Sequence, residues 1–147
     1  MDINSALNDV LVKLFHNIEA IEEQAIRTEE YKDMTTNDMR VIEAIGMEGQ
    51  KNMTTVAKTL HVTTGTLTIS INSLVKKNYV ERVRSEEDRR VVLVSLTNKG
   101  EKAFLHHKRF REQMTDAIVE QLSEEEKAVL QKALERLNHF FFSKKND

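Results

Sequence analysis

No proline interrupts the 147 residues of this chain, and only four glycines punctuate it. Proline breaks helices outright and glycine weakens them, so the backbone can run in long helices between few stops. The apolar residues use that freedom. Ile3, Leu7, Val10, Leu11, Leu14, Ile18, Ile21 and Ala25 recur at spacings of three and four, which predicts one long amphipathic helix over 2–28. A terminal helix of that length needs a large surface to pack on, and a second subunit would supply it.

Shorter helices follow. Thr35 or Thr36 can cap a helix carrying Met39, Val41, Ile42 and Ile45, with Asp38 in its first turn and Gly46 as its stop. After a loop at 47–52, Thr54 or Thr55 starts a short helix with Val56, Ala57 and Leu60 inside. His61 and Val62 form a turn, and Thr63 or Thr64 caps a further helix that buries Leu67, Ile71, Leu74 and Val75. The period then changes from helical to alternating. Residues 79–84 and 91–96 read as two strands, and the polar run 85–90 reads as the hairpin tip between them. Thr97 caps another helix, whose Gly100 marks a tight approach or a permissive backbone. Ser123-Glu124-Glu125-Glu126 is a capping box that opens a last helix with Leu130, Leu134, Leu137, Phe140 and Phe141.

The fold class is therefore mainly α with a small β-hairpin. Three helices followed by a hairpin is the layout of a winged helix-turn-helix, whose second motif helix enters the DNA major groove. Once the apolar stripe is removed, that helix presents Thr63, Thr64, Thr66, Thr68, Ser70, Asn72 and Ser73. These are donors and acceptors suited to phosphates and base edges. No acidic residue occurs from Thr59 to Asn78. An ordinary capped helix with small polar residues facing solvent fits the same pattern. At the hairpin tip, Arg89 and Arg90 project where a wing arginine enters a narrow minor groove, and Asp88 is placed to orient one of them. Glu86 and Glu87 speak for a merely solvated tip; Lys76, Lys77, Arg82 and Arg84 speak for DNA.

The formal net charge is −2, but it is unevenly spread. Residues 1–50 carry four Lys/Arg against eleven Asp/Glu, whereas residues 74–111 carry eleven against five. The local field, not the total, is what a phosphate meets. There is no cysteine, which excludes disulfides and thiolate metal sites. His16, His61, His106, His107 and His139 lack metal-ligand spacing, and no catalytic triad, phosphate loop or carboxylate pair stands out, so neither metal, cofactor nor enzymatic activity is expected. The first fourteen residues lack the pattern of a signal peptide, and no apolar run would span a membrane; a cytoplasmic protein is the expectation.

The run Asp88-Arg89-Arg90, Val91 to Leu96, then Thr97-Asn98-Lys99-Gly100 resembles the wing signature of the MarR family, Asp-x-Arg, a short β run and Leu-Thr-x-x-Gly. Leu74 to Val80 resembles the segment before it, with Asn78 where glycine is usual. The resemblance implies a single chain, 1–147, with a winged core at 34–98 and dimerisation helices at 1–28 and 99–147. It also implies a homodimer on a palindromic double-stranded DNA operator. The implied DNA-binding residues are Thr54, Thr63, Thr64, Thr66, Thr68, Ser70, Asn72, Arg84, Asp88, Arg89 and Arg90. Arg90 matches the minor-groove arginine and Asp88 its partner.

Residues 85–92, His107 to Phe110 and the 123–126 box further resemble the fatty-acid-synthesis repressors (FabT-like) of this family. These are implied to use long-chain acylated acyl carrier protein as corepressor. Leu11, Leu14, Phe15, Ile18, Ile42, Phe104 and Phe110 would then line an acyl tunnel. Lys108, Arg109 and Arg111, with His106 and His107 beside them, would meet the acidic carrier. Ordinary core packing explains the same apolar residues. A MarR-type regulator of another small ligand, or a winged-helix protein–protein module, are the alternative readings.

Overall fold

The computed structural model describes residues 1–26 and 28–145. Arg27, Asn146 and Asp147, which fall inside the predicted terminal helices, lie outside the described residues. Among the described residues, no helix is long and apolar enough to cross a membrane. The boundary between two compact units, Met1–Lys108 and Arg109–Asp147, falls inside one long helix.

The first unit opens with α1 (Ile3–Asp9) and α2 (Phe15–Ile26). The predicted single helix is thus helical almost throughout, but Val10–Leu14 between its halves is π-helical, with the Phe15 N–H donating to the Val10 carbonyl. Such a bulge shifts the side-chain phase by one residue, which an apolar period cannot reveal. Ile26 is the one residue of α2 that is buried. Leu11, Leu14, Phe15 and Ile21 are exposed in the single chain.

α3 (Thr36–Ile45) begins with a reciprocal capping box. The Asp38 N–H donates to Thr35 Oγ1 at 3.0 Å, and the Thr35 N–H donates to Asp38 Oδ2 at 3.1 Å. Gly46 ends it at φ 67°. α4 (Met53–Leu60) is capped by Asn52, not by Thr54 or Thr55: Asn52 Oδ1 accepts the Thr55 N–H at 2.7 Å. His61 turns the chain in the left-handed region, and Thr63 caps α5 (Thr64–Lys76), accepting the Thr66 N–H at 3.1 Å.

The sheet has three strands where two were expected. β1 (Lys51–Asn52) and β2 (Val80–Arg84) both pair antiparallel with the central β3 (Val92–Leu96). Two residues are too few to show an alternation, so β1 leaves no mark in the sequence. β3 matches Lys51 with Val94 and Val80 with Leu96. The core beneath is built from Val41, Ile42 and Ile45 of α3, Val56 of α4, the Leu67-Ile71-Leu74 stripe of α5 and Val94 of β3.

Asn78 joins α5 to β2 at φ 70°, the left-handed conformation that glycine or asparagine adopts most readily. Tyr79 is fully buried beside it, and its hydroxyl donates to Asp33 at 2.8 Å. Burial, and then the Asp33 carboxylate, push the Tyr79 phenol well above its ordinary range. Lys77 ties the same corner down, donating to Asp38 Oδ2 and to the Asp33 carbonyl, each at 2.8 Å. α6 (Asn98–Glu120) starts where Thr97 Oγ1 donates to the Asn78 carbonyl at 2.7 Å.

The second unit holds the end of α6 and α7 (Glu124–Lys145). Ser123 and Glu126 cap α7 reciprocally at 3.1 and 2.9 Å, as the Ser-x-x-Glu spacing predicted. Phe140 and Phe141 meet edge to face, 5.4 Å between centroids, and both are exposed in the single chain together with Phe142.

Candidate nucleic-acid interface

The sequence nominates α5 and the hairpin tip, and the fold brings the two together. A concavity of about 630 Å³ lies between them, lined by Asn52, Met53 and Thr54 at the start of α4, Thr64 and Thr68 of α5, and Arg82, Val83, Arg84, Arg90, Val91 and Val92 of the wing. Three arginines line it and no carboxylate does. A groove of this kind attracts the anionic phosphates of a nucleic-acid backbone.

The wing is ordered by its own hydrogen bonds. The Val91 N–H donates to the Asp88 carbonyl at 2.9 Å, and the Ser85 N–H to the Val91 carbonyl at 2.9 Å. Arg84 donates to the Arg89 carbonyl at 2.9 Å. The Arg90 guanidinium grips Asp88 through Nε and Nη2, both at 3.1 Å, and its backbone N–H adds a third bond to the same carboxylate. That fork-on-fork pair leaves the Arg90 side chain 91% exposed yet aimed. The Arg90 guanidinium, then its N–H, hold the Asp88 carboxyl below its usual range.

The predicted α5 residues divide. Thr64, Thr66 and Thr68 are exposed along the helix, and Thr68 donates back to the Thr64 carbonyl at 2.8 Å. Thr63 is the cap itself, and its hydroxyl donates to Thr66 Oγ1 at 3.0 Å. Ser70 is half-buried and accepts from Asn37 of α3 at 3.1 Å, so it braces the motif. Asn72 accepts from Arg82, linking α5 to β2. Thr54, Thr64, Thr68, Arg84 and Arg90 share the groove; Thr63, Thr66, Ser70, Asn72, Asp88 and Arg89 do not line it.

Two residues were passed over. Arg82 counted in the sequence only as flanking charge, although its spacing of two from Arg84 puts both on one strand face. Ile69 is 74% exposed on α5. It falls out of step with Leu67, Ile71 and Leu74, and that phase error was the available signal.

The residues expected for a ligand differ in burial within each unit. Ile42 is fully buried in the core and Phe104 packs against that core. Ile18 is half-buried, while Leu14 and Phe15 are exposed. His107 is 3% exposed, held by Glu43 of α3 at 2.8 Å, so its imidazole sits inside the first unit instead of on a basic surface. His106 lies 5.4 Å from the Tyr31 ring. In the second unit Arg109 is exposed and Phe110 half-buried.

Residues 25–107 match the family model of the SarA/Rot transcriptional regulators. The chain belongs to this family of winged-helix transcriptional regulators. Streptococcus pneumoniae FabT, crystallised in complex with DNA, is 41% identical over 95% of this chain and 98% of that one, with a TM-score of 0.90. An uncharacterised HTH-type regulator of Bacillus subtilis, YpoP, is 32% identical over 85 residues, 58% of each chain. SarZ of Staphylococcus saprophyticus is 38% identical over 68 residues, 46% of this chain and 47% of its own. The chain thus spans about half the length of these sequence relatives. The fold is also that of the MarR family regulator SP03579, at 17% identity and a TM-score of 0.83 over 99% of this chain. The protein is a transcriptional regulator of the SarA/Rot winged-helix kind.

Proposed function

We propose that the chain acts as a homodimeric repressor on a palindromic double-stranded DNA operator. The observation that carries this is the Arg90–Asp88 pair, held on an ordered wing beside the threonine face of α5 and across an acid-free groove. α5 enters the major groove with Thr64, Thr66 and Thr68 towards the bases, and Thr54 and Arg84 secure the flanking backbone. Arg90, oriented by Asp88, enters the adjoining minor groove with Arg89 beside it. Residues 34–98 form the DNA-binding core. The terminal segments 1–28 and 99–147 form the dimer, covering apolar residues such as Leu11, Phe15 and Phe142 that a single chain leaves in water.

The regulated genes are those of fatty-acid synthesis, and long-chain acylated acyl carrier protein is the corepressor. Support comes from the 41% identity to FabT along nearly the whole chain. Leu14, Phe15, Ile18, Ile42, Phe104 and Phe110 would take the acyl chain once two copies assemble, His107 would hold the wall of that site through Glu43, and Arg109 would face the carrier.

Gel shifts on promoters of fatty-acid synthesis genes test the whole. Specific binding should fall steeply with salt, because each neutralised phosphate releases counterions. It should tighten when acylated carrier is added. A salt-independent affinity or a monomer by sedimentation rejects the DNA reading. Indifference to acylated carrier rejects the corepressor while leaving DNA binding intact.

A further inference from the structure

At 3.6 residues per turn, the buried stripe Leu67, Ile71 and Leu74 leaves Gly65, Ile69, Asn72 and Lys76 on the opposite line of α5. Two residues on that line are poor choices for a helix that merely faces water. Ile69 is 74% exposed among threonines, an asparagine and a lysine. Gly65 is a weak helix former, yet folding does not demand glycine there. A Cβ at Gly65 would meet only Thr63 Oγ1 at 3.9 Å, an ordinary contact, and its φ is not in the left-handed region. Gly65 and Ile69 are four apart, so they are neighbours on one face.

Together they make a smooth, apolar strip on the side of the helix turned away from the protein. In the major groove the one apolar group that distinguishes bases is the C5-methyl of thymine. We infer that Ile69 is a specificity-determining residue that packs on a thymine methyl, with Gly65 letting the helix backbone approach the base edges closely enough to bring it there. The inference rests on the DNA-binding reading above and adds to it the base that is read.

Deoxyuridine tests this cleanly, because it pairs as thymidine does and lacks only the methyl. A duplex is first selected from a random library with the full-length protein. Each dT is then replaced singly by dU and affinities are measured by fluorescence anisotropy. At one position in each half-site the wild-type protein should lose roughly four- to ten-fold, the scale of burying one or two methyl groups. Ile69→Ala should lose a similar factor on the dT duplex and nothing more on dU at that position. Gly65→Ala should weaken binding to the dT duplex while leaving the circular dichroism spectrum native.

If no dU position matters, or if the Ile69→Ala and dU losses simply multiply, the methyl contact is wrong while DNA binding stands. If no duplex is selected at all, DNA binding fails and this inference falls with it. Because Ile69 is outside the core, its alanine variant folds, and that is checked by its melting curve.

Discussion

Gly65 and Gly100 occupy the first turns of α5 and α6, yet the same substitution should act on them in opposite senses. An ideal Cβ at Gly100 would lie 2.1 Å from the Tyr79 carbonyl oxygen, 3.1 Å from its carbon and 3.2 Å from Leu96 Cβ. None of these is the end of a flexible side chain. The Tyr79 carbonyl accepts the Thr97 N–H at 3.0 Å, and the Tyr79 ring is fully buried beneath Lys99, whose Nζ lies 4.3 Å from its centroid. Relief therefore requires the start of α6 to lift away from the β2 entry.

Overpacking of this kind costs up to ~3 kcal/mol. The loss of the Thr97–Tyr79 hydrogen bond adds ~1 kcal/mol. The better helix propensity of alanine recovers ~1 kcal/mol. Gly100→Ala should thus destabilise by about 3 kcal/mol, roughly 6–12 °C in melting temperature for a chain of this size. Gly65→Ala meets no such obstacle and should be neutral or stabilising by up to ~1 kcal/mol. Urea and thermal melts by circular dichroism, at one protein concentration, decide the matter. An unchanged urea midpoint for Gly100→Ala, or equal losses at both glycines, would refute the reasoning.

Three further outcomes are expected. Arg90→Ala should weaken operator binding by ~1–3 kcal/mol in gel shifts, while Asp88→Asn, which leaves the guanidinium in place, should cost less. The lowered Asp88 carboxyl means this pair is present above the ordinary value of 3.8 and is lost as pH falls through the depressed one, so wing-dependent affinity should not vary because of it between about pH 5 and 8. Asp38→Ala removes both the α3 capping box and the partner of Lys77, and should destabilise by about 2–3 kcal/mol in urea. Both tyrosines have phenols raised by burial, so tyrosinate absorbance should not appear near pH 10.0 while the protein is folded. A raised value favours the neutral form in the fold, hence stability is intact below pH 10.0 and declines above it, and tyrosinate should appear together with unfolding.

The elements that could be read from the sequence are those whose chemistry is local. A cap is a short-range bargain between a hydroxyl or carboxylate and an N–H three residues on, so Ser123 with Glu126 was legible as a spacing, and the α3 cap was narrowed to Thr35 or Thr36, of which the fold uses Thr35. Gly100 was legible as a tight approach or a permissive backbone, and the Tyr79 carbonyl beside it decides for the first. β1 was not legible, since its two residues are defined by pairing with Val94 and Leu93 more than forty positions away. The cap of α4 was misplaced for the same reason: Asn52 ends that strand and starts that helix at once, while two threonines just beyond it looked equally able. The π-helical Val10–Leu14, closed by the Phe15 N–H on the Val10 carbonyl, shifts the phase within a single turn, too short a stretch for an apolar period to mark.

The site shows where reading by subtraction succeeds and where it fails. Removing the apolar stripe of α5 leaves its polar residues as candidate readers, and this finds Thr64, Thr66 and Thr68 because a core has no use for them. Subtraction cannot tell an outward hydroxyl that meets a partner from one spent inside the protein, as Thr63 and Ser70 are. It is also blind to any reader that is itself apolar. Ile69 entered neither the buried stripe nor the polar remainder, although its phase places it opposite the core. In a recognition helix, position on the wheel is therefore the stronger criterion, because a helix fixes direction at every residue whereas hydrophobicity says only what a side chain avoids when no partner is present.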